Sequence, residues 1–281
     1  MRQGPSPASP SSVRGGPSSV PLGGTLLIYW LIVMQLQDIL YSQGFGTRRV
    51  CAGLVQQGWV EVYPQDDAAA QPERCTDSTA DFDPEGLRFR VQGVDWAYYA
   101  KGYIVLHKPA GTECSQKPST YPSIYTLLPP PLRQRPCKSA IQGLQAVGRL
   151  DQDTTGMLLL SDDGQFIHRM SSPKKHVPKV YRVTAKHPVT QEMIAQLLAG
   201  VVLDDDPKPV KAAACELIDS HVLDLTLTEG KYHQVKRMLA AVSNRVEGLH
   251  RARIGSLVLP EDLAPGQWRW LTADDLEKLK G

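Results

Sequence analysis

The stretch from residue 147 to 164 limits the fold more tightly than any other part of this 281-residue chain. Arg149, Asp151, Asp153, Thr154 and Thr155 crowd together, and after Gly156 the chain turns wholly apolar at Met157-Leu158-Leu159-Leu160. Four apolar residues closed by a turn at 161–164 read as a buried strand. The polar cluster then has to be a loop at the end of that strand, against the core. Polar groups packed so densely beside an apolar run make either a hydrogen-bonded turn or a site. Composition alone favours the plainer of these, a loop stapled by an Arg–Asp pair. A metal site at Asp151-x-Asp153 lacks a third hard ligand at an ordered spacing.

Around this segment the chain alternates short strands with few helices. Strand-like runs fall at 59–62, 87–91, 103–106, 179–185, 210–218 and 221–228, the last with Leu223, Leu225 and Leu227 alternating. Thr190 is placed to cap a helix with Met193, Ile194, Leu197 and Leu198 inside and Gly200 at its end. Residues 233–242 form the clearest helix: Val235, Met238, Leu239 and Val242 recur at i, i+3, i+4 and i+7, which leaves Lys236 and Arg237 off the buried stripe. Strands interleaved in this irregular way predict an α+β fold on a mixed, largely antiparallel sheet.

Four regions follow. Residues 1–24 are rich in Pro, Ser and Gly, and 25–33 are a short apolar run about half as long as a membrane span. With no small-residue cleavage site after it, 1–33 reads as a disordered or mis-assigned extension, with Met34 as the natural start. Residues 34–63 form a compact unit of two helices and a strand, with Thr47 capping the second helix. Arg48 and Arg49 lie in that helix's first turn, where guanidinium groups and free N–H groups suit phosphate. Residues 64–86 are polar and acidic and read as a linker. A large domain, 87–281, completes the chain. Five scattered cysteines without a C-x-x-C pair fit a reducing cytoplasm. A net charge of +2 means that nucleic-acid contact has to come from local basic clusters.

The segment Gly148-Arg149-Leu150-Asp151-Gln152-Asp153-Thr154-Thr155-Gly156-Met157-Leu158-Leu159-Leu160 closely resembles the signature of the RsuA-type ribosomal pseudouridine synthases, G-R-L-D-x-D-T-T-G-L-L-L-L. Other stretches agree with it. Ile104-Val105-Leu106-His107-Lys108-Pro109-Ala110-Gly111 is similar to the family's N-K-P-x-G motif, with His107 in place of Asn. Lys179-Val180-Tyr181-Arg182-Val183 is similar to K-x-Y-x-V. Glu229-Gly230-Lys231-Tyr232-His233-Gln234-Val235-Lys236-Arg237-Met238 and Leu249-His250-Arg251-Ala252-Arg253-Ile254-Gly255 match two further motifs. The unit 34–63 resembles, more loosely, the S4 RNA-binding domain that precedes the catalytic domain in this family.

The resemblance implies isomerisation of one uridine in ribosomal RNA, leaning to the 16S RNA of the small subunit, without cofactor or metal. Asp151 would be the essential carboxylate, either attacking C1′ or removing a sugar proton. Both routes need it ionised, a form that a nearby cation favours, and Lys236 matches the family's basic partner. Tyr181 would lie against the uracil, its hydroxyl near C5. Leu249 would floor the pocket, Arg149 would orient the loop or meet phosphate, and Lys108 would do structural or phosphate work. A stacked uridine must be flipped out to react, and Lys174, Lys175, Arg251 and Arg253 would hold the RNA backbone meanwhile. The expected partner is ribosomal RNA, free or within a pre-ribosomal particle, with no membrane. The enzyme would be a cytoplasmic monomer whose small domain moves on its linker. Three alternatives stand beside this reading: a synthase acting on 23S RNA, a non-catalytic S4-domain assembly factor, and a carbohydrate hydrolase. The last ordinarily needs two carboxylates flanking the bond.

Overall fold

The computed structural model describes residues 33–66, 69–137, 142–204 and 206–280. The expectation for the N-terminal extension falls, but for Val33, outside the described residues. The small unit holds β1 (Met34–Gln35), α1 (Leu36–Gln43), α2 (Arg48–Gln56), β2 (Val60–Val62), β3 (Glu73–Arg74), β4 (Asp81–Phe82), β5 (Arg88–Val91) and β6 (Val94–Ala97). Leu36, Ile39 and Leu40 of α1 and Cys51 and Val55 of α2 pack on Val60, Val62, Phe89 and Val91 of the antiparallel sheet β3-β2-β5-β6. The Thr47 hydroxyl accepts from the Val50 N–H at 3.3 Å and starts α2 as expected.

Two boundaries differ from the sequence reading. Residues 64–86 are not a plain linker, since β3 pairs with β2 and β4 with β1. Residues 88–97 belong to the small unit, with Val60 opposite Val91 and Val62 opposite Phe89. A three-residue strand cannot form a sheet face alone, so β2 draws in the next alternating segments on either side. The small unit therefore runs to Ala97, and the large one begins at the following strand.

The expected loose tether is also replaced by a packed junction. Arg135, 2% exposed, donates to Asp162 (2.7 Å), to the Gln43 side-chain carbonyl (2.6 Å) and to the Tyr99 carbonyl (2.7 Å). Such a buried guanidinium is tolerable only because all three partners are present. Gly44, at φ +91°, passes so close to the large unit that a Cβ would lie 2.1 Å from the Pro131 carbonyl oxygen.

The large unit continues with β7 (Tyr103–Lys108), α3 (Pro130–Gln134), β8 (Gln145–Ala146), β9 (Thr155–Ser161), α4 (Gly164–Ser171), β10 (Lys179–Ala185) and α5 (Gln191–Ala199). Then come β11 (Val201–Leu203), β12 (Asp206–Val210), β13 (Ala214–Asp219), β14 (Val222–Leu227), α6 (Gln234–Ala241), β15 (Val246–Ile254), β16 (Leu257–Val258), β17 (Trp268–Trp270) and α7 (Ala273–Lys278). The main sheet runs β13-β14-β10-β15-β9-β7-β17, with β16 beside β15 and β8 beside β9. Every pairing is antiparallel except β9 with β15, so the sheet is mixed and largely antiparallel.

The apolar run in β9 is explained by burial on both faces. Met157 and Leu159 join one core cluster, and Leu158 and Leu160 another. The strand expected over 210–218 is split: β12 turns back on β11, and only β13 joins the main sheet. Leu198, expected inside, is 40% exposed, because α5 buries Ile194 and Leu197 instead. The parallel seam is short, with His250 opposite Thr155 and Arg251 opposite Gly156. At Gly156, φ is +105°, and a Cβ would lie 2.4 Å from the Arg251 carbonyl oxygen. Only glycine lets the two backbones approach this closely.

Candidate active site

Asp151 sits in the loop that feeds β9, at the mouth of the seam. Lys108, at the end of β7, is fully buried and donates to the carbonyls of Pro109 (3.0 Å), Gln152 (3.3 Å) and Thr154 (2.9 Å). The Gly111 N–H reaches the Gln152 carbonyl at 2.8 Å, and the Thr154 N–H reaches that of Asp151 at 3.1 Å. The loop is thus gripped from beneath. Burial pulls the Lys108 ammonium below the ordinary lysine range. Of the structural or phosphate work expected of Lys108 the structure shows the first: it underlies the loop and does not line the cleft, where the pocket expectation puts it.

Above the loop stands α6. Its buried residues Val235, Met238 and Leu239 turn Lys236 toward Asp151, with Nζ 3.1 Å from Oδ2. The same ammonium lies 2.7 and 2.9 Å from the two carboxylate oxygens of Asp153. Burial opposes both charges. The bond and charge of Lys236 outweigh it and hold the Asp153 carboxyl below its usual range. The two aspartates in turn raise Lys236 above the usual lysine value.

His233, one turn earlier at φ +47°, brings Nε2 to 3.3 Å from Asp151 Oδ1. Asp153 and His233 both lie within the motifs, which by themselves assign neither a part beside Asp151. His233 stands at the N-cap of α6 with a left-handed backbone, so helical spacing from Lys236 does not signal its position.

A cleft of about 100 Å³ opens beside Asp151, lined among others by Arg149, Tyr181, His233, Lys236 and Leu249. Tyr181 comes from β10 and Leu249 from β15, which pair in the sheet. Asp151, Tyr181 and Lys236 therefore surround one space, and Leu249 and Arg149 border it.

The expected RNA-backbone set is not assembled there. Arg251 is 3% exposed, with Nε donating to the Met157 carbonyl at 2.7 Å and Nη1 lying 3.5 Å from the Tyr181 hydroxyl. Its seam position opposite Gly156 sends the side chain under the Tyr181 ring, where it supports the cleft wall and cannot reach RNA. Arg253 is exposed but pairs with Val180, beyond a register shift that separates it from the Tyr181–Arg251 pair. Lys174 and Lys175 lie on an exposed turn. Lys175 borders a different cavity, with Asp163 and Arg169.

In the small unit, Arg48 is turned to Asp38 (2.6 Å) and lies over the Tyr41 ring, while Arg49 is exposed. The two forks do not converge as expected, since the acidic neighbour on α1 takes one of them. His107 performs one hydrogen-bonding task, with Nδ1 2.7 Å from the Leu263 carbonyl oxygen.

The family described as RNA pseudouridylate synthase matches residues 102–241. The ribosomal small subunit pseudouridine synthase A of Haemophilus influenzae is 45% identical over 177 residues, covering 63% of this chain and 73% of that protein. Its counterpart from Yersinia pestis is 43% identical over 174 residues, covering 62% and 71%. A crystal structure of a pseudouridylate synthase superposes with a TM-score of 0.58 at 35% identity, covering 88% of this chain and 99% of that one. The chain belongs to the RNA pseudouridylate synthase family and is an isomerase of that class.

Proposed function

We propose that this enzyme converts one uridine of small-subunit, 16S ribosomal RNA to pseudouridine, with Asp151 as the essential carboxylate. The observation that carries the reading is the Asp151 carboxylate, opposed by Lys236 at 3.1 Å and opening into a cleft walled by Tyr181 and Leu249. In the reaction the N1–C1′ bond breaks, the uracil turns, and a C5–C1′ bond forms. The proton lost from C5 is balanced by one gained at N1. Attack at C1′ and removal of a sugar proton both need an ionised carboxylate, and Lys236 supplies the opposite charge beside it. Tyr181 covers the uracil, Leu249 supports it from below, and Arg149 meets the RNA at the rim. Lys108 and Arg251 act as positioning residues, the first for the Asp151 loop and the second for Tyr181.

The choice of the small subunit rests on the names of the curated relatives in Haemophilus influenzae and Yersinia pestis. In this reading the small unit is an S4-like RNA-binding module, and Arg49 is one of its exposed cations. The enzyme works as a cytoplasmic monomer on ribosomal RNA, free or within a pre-ribosomal particle.

The test maps pseudouridine in all ribosomal RNA from cells lacking the gene, and from the same cells carrying wild type or Asp151→Ala. One site in 16S RNA should vanish and return with wild type alone. Loss of a 23S site would move the target to the large subunit. Restoration by Asp151→Ala would leave an RNA-binding assembly factor as the better reading.

A further inference from the structure

Tyr232 is 76% exposed, the highest value among the exposed large hydrophobic residues described, and it lies in the chain between Lys231 and His233, both of which line the Asp151 cleft. Its ring lies flat on His233, with centroids 3.8 Å apart and planes 22° from parallel. His233 in turn reaches Asp151 at 3.3 Å. One imidazole therefore separates the tyrosine ring from the carboxylate, while the ring's other face is open to solvent.

The surrounding loop is built to hold this arrangement. The left-handed backbone at His233 turns the chain at the start of α6. The Arg237 guanidinium donates to the Tyr232 carbonyl at 3.1 Å. Gln234, 4% exposed, accepts from the Lys231 N–H at 2.8 Å and donates to Glu229 at 3.1 Å. An aromatic ring held rigidly in water contributes little to folding. It loses little entropy when a second flat, polarisable surface lands on it.

We propose that Tyr232 is a stacking platform for an RNA base next to the reacting uridine. The inference rests on the RNA-isomerase reading above and adds the contact that holds the neighbouring nucleotide while the uridine leaves its stack. Every base has a π-face, and single-stranded or unstacked bases are held by exposed aromatic side chains in this way. A protein partner would call for a broader apolar surface, but Gly230, two residues before Tyr232, is exposed and Arg237 donates to the loop backbone. The base occupies the open face of Tyr232, so the order of rings is base, Tyr232, His233, and then the Asp151 carboxylate.

The test uses the full chain with a 16S RNA transcript, and binding is measured separately from single-turnover pseudouridine formation. Tyr232→Ala should weaken binding or kcat/KM by roughly 5- to 100-fold, the range for one lost base–aromatic stack. Tyr232→Phe, which keeps the π-face, should stay within about 2-fold of wild type on the same scale. In transcripts carrying an abasic site at each position beside the modified uridine, one position should impair wild type and leave Tyr232→Ala no worse. Wild-type behaviour of Tyr232→Ala overturns the platform, as does equal damage from Tyr232→Phe. If wild type binds the transcript but forms no pseudouridine, the isomerase reading on this RNA fails and the binding ratio still decides the platform. If wild type binds no transcript, both fail.

Discussion

At the Ser161 end of β9 a cavity of about 690 Å³ opens between α4 and α7, while at the Thr155 end the cleft holding Asp151 measures about 100 Å³. The two are opposites in chemistry as well as size. In the larger cavity both carboxylates are engaged by other groups. Asp163 accepts from the Tyr103 hydroxyl at 2.7 Å and caps α4 through the Gln165 N–H, and Glu277 is bonded to Lys280. Burial and the Asp163 bond push the Tyr103 phenol well above the ordinary tyrosine range, which leaves it a poor acid. In the smaller cleft, Asp151 meets Lys236 and His233 from a helix more than 80 residues away along the chain. Charges gathered from distant segments need the whole fold to hold them, whereas the Asp163 cap and the Glu277–Lys280 pair need only a turn each, with Tyr103 the contribution of a separate strand. Convergence of charge, and not volume, distinguishes the two ends.

The largest expected effect tests the small cleft directly. Asp151→Ala should lower single-turnover pseudouridine formation by about 10³-fold or more, with unchanged thermal unfolding. A variant retaining a tenth of wild-type activity would move the chemistry elsewhere. Lys236→Met removes the shared cation and leaves Asp151 and Asp153 facing one another, for a loss of about 10²-fold in kcat/KM. A loss in KM alone would make Lys236 a substrate-binding group only.

The same pair carries a pH signature. Asp153, whose carboxyl is held low, stabilises the fold above the ordinary carboxylate value of about 4, and this is lost as pH falls through its lower folded value. Lys236, held high, stabilises below about 10.4, and this is lost as pH rises through its higher folded value. Between roughly pH 5 and 9 the Asp153–Lys236 pair should therefore contribute a constant amount to stability, read in a His233→Gln background that removes the neighbouring imidazole. A Lys236→Met difference in urea midpoint that changed across that window would contradict it.

The seam beneath the cleft is tested by Gly156→Ala. The added methyl meets the Arg251 backbone at 2.4 Å, and the substitution should reduce unfolding free energy by about 2–3 kcal/mol. An unchanged urea midpoint would show that the seam opens without penalty. The smallest effect belongs to the far end. Lys175→Ala should leave kcat/KM within about 2-fold, as exposed surface substitutions usually do. A tenfold loss would bring the large cavity into RNA binding and undo the contrast.

Much of this was legible beforehand, and the parts that were not share a cause. The apolar run of β9, the alternation of β14, the stripe of α6 and the caps at Thr47 and Thr190 are all where local patterning puts them. The motif resemblance directed attention to Asp151, Tyr181 and Lys236, and these do border one cleft. His233 went unassigned because nothing within a few residues of it identifies its partner, which lies 82 positions earlier. Arg251 and Lys175 stand away from their expected places, and the structural half of the Lys108 expectation could not be separated from the phosphate half, for a related reason. A basic side chain reads the same in sequence whether it faces RNA, lies under a tyrosine, or grips a loop from below.

By itself the sequence determined the local elements, the α+β class and the segments that carry the chemistry. Periodicity and capping act between residues two to four apart, where the chain's own stereochemistry governs. Tertiary structure alone decided that β5 and β6 complete the small unit, that Arg135 locks it to the large one, and that β9 meets β15 in parallel at a glycine. It also decided which cations are buried. Strand partners and charge environments depend on the surface left uncovered once every element has formed, and that is a property of the assembled chain.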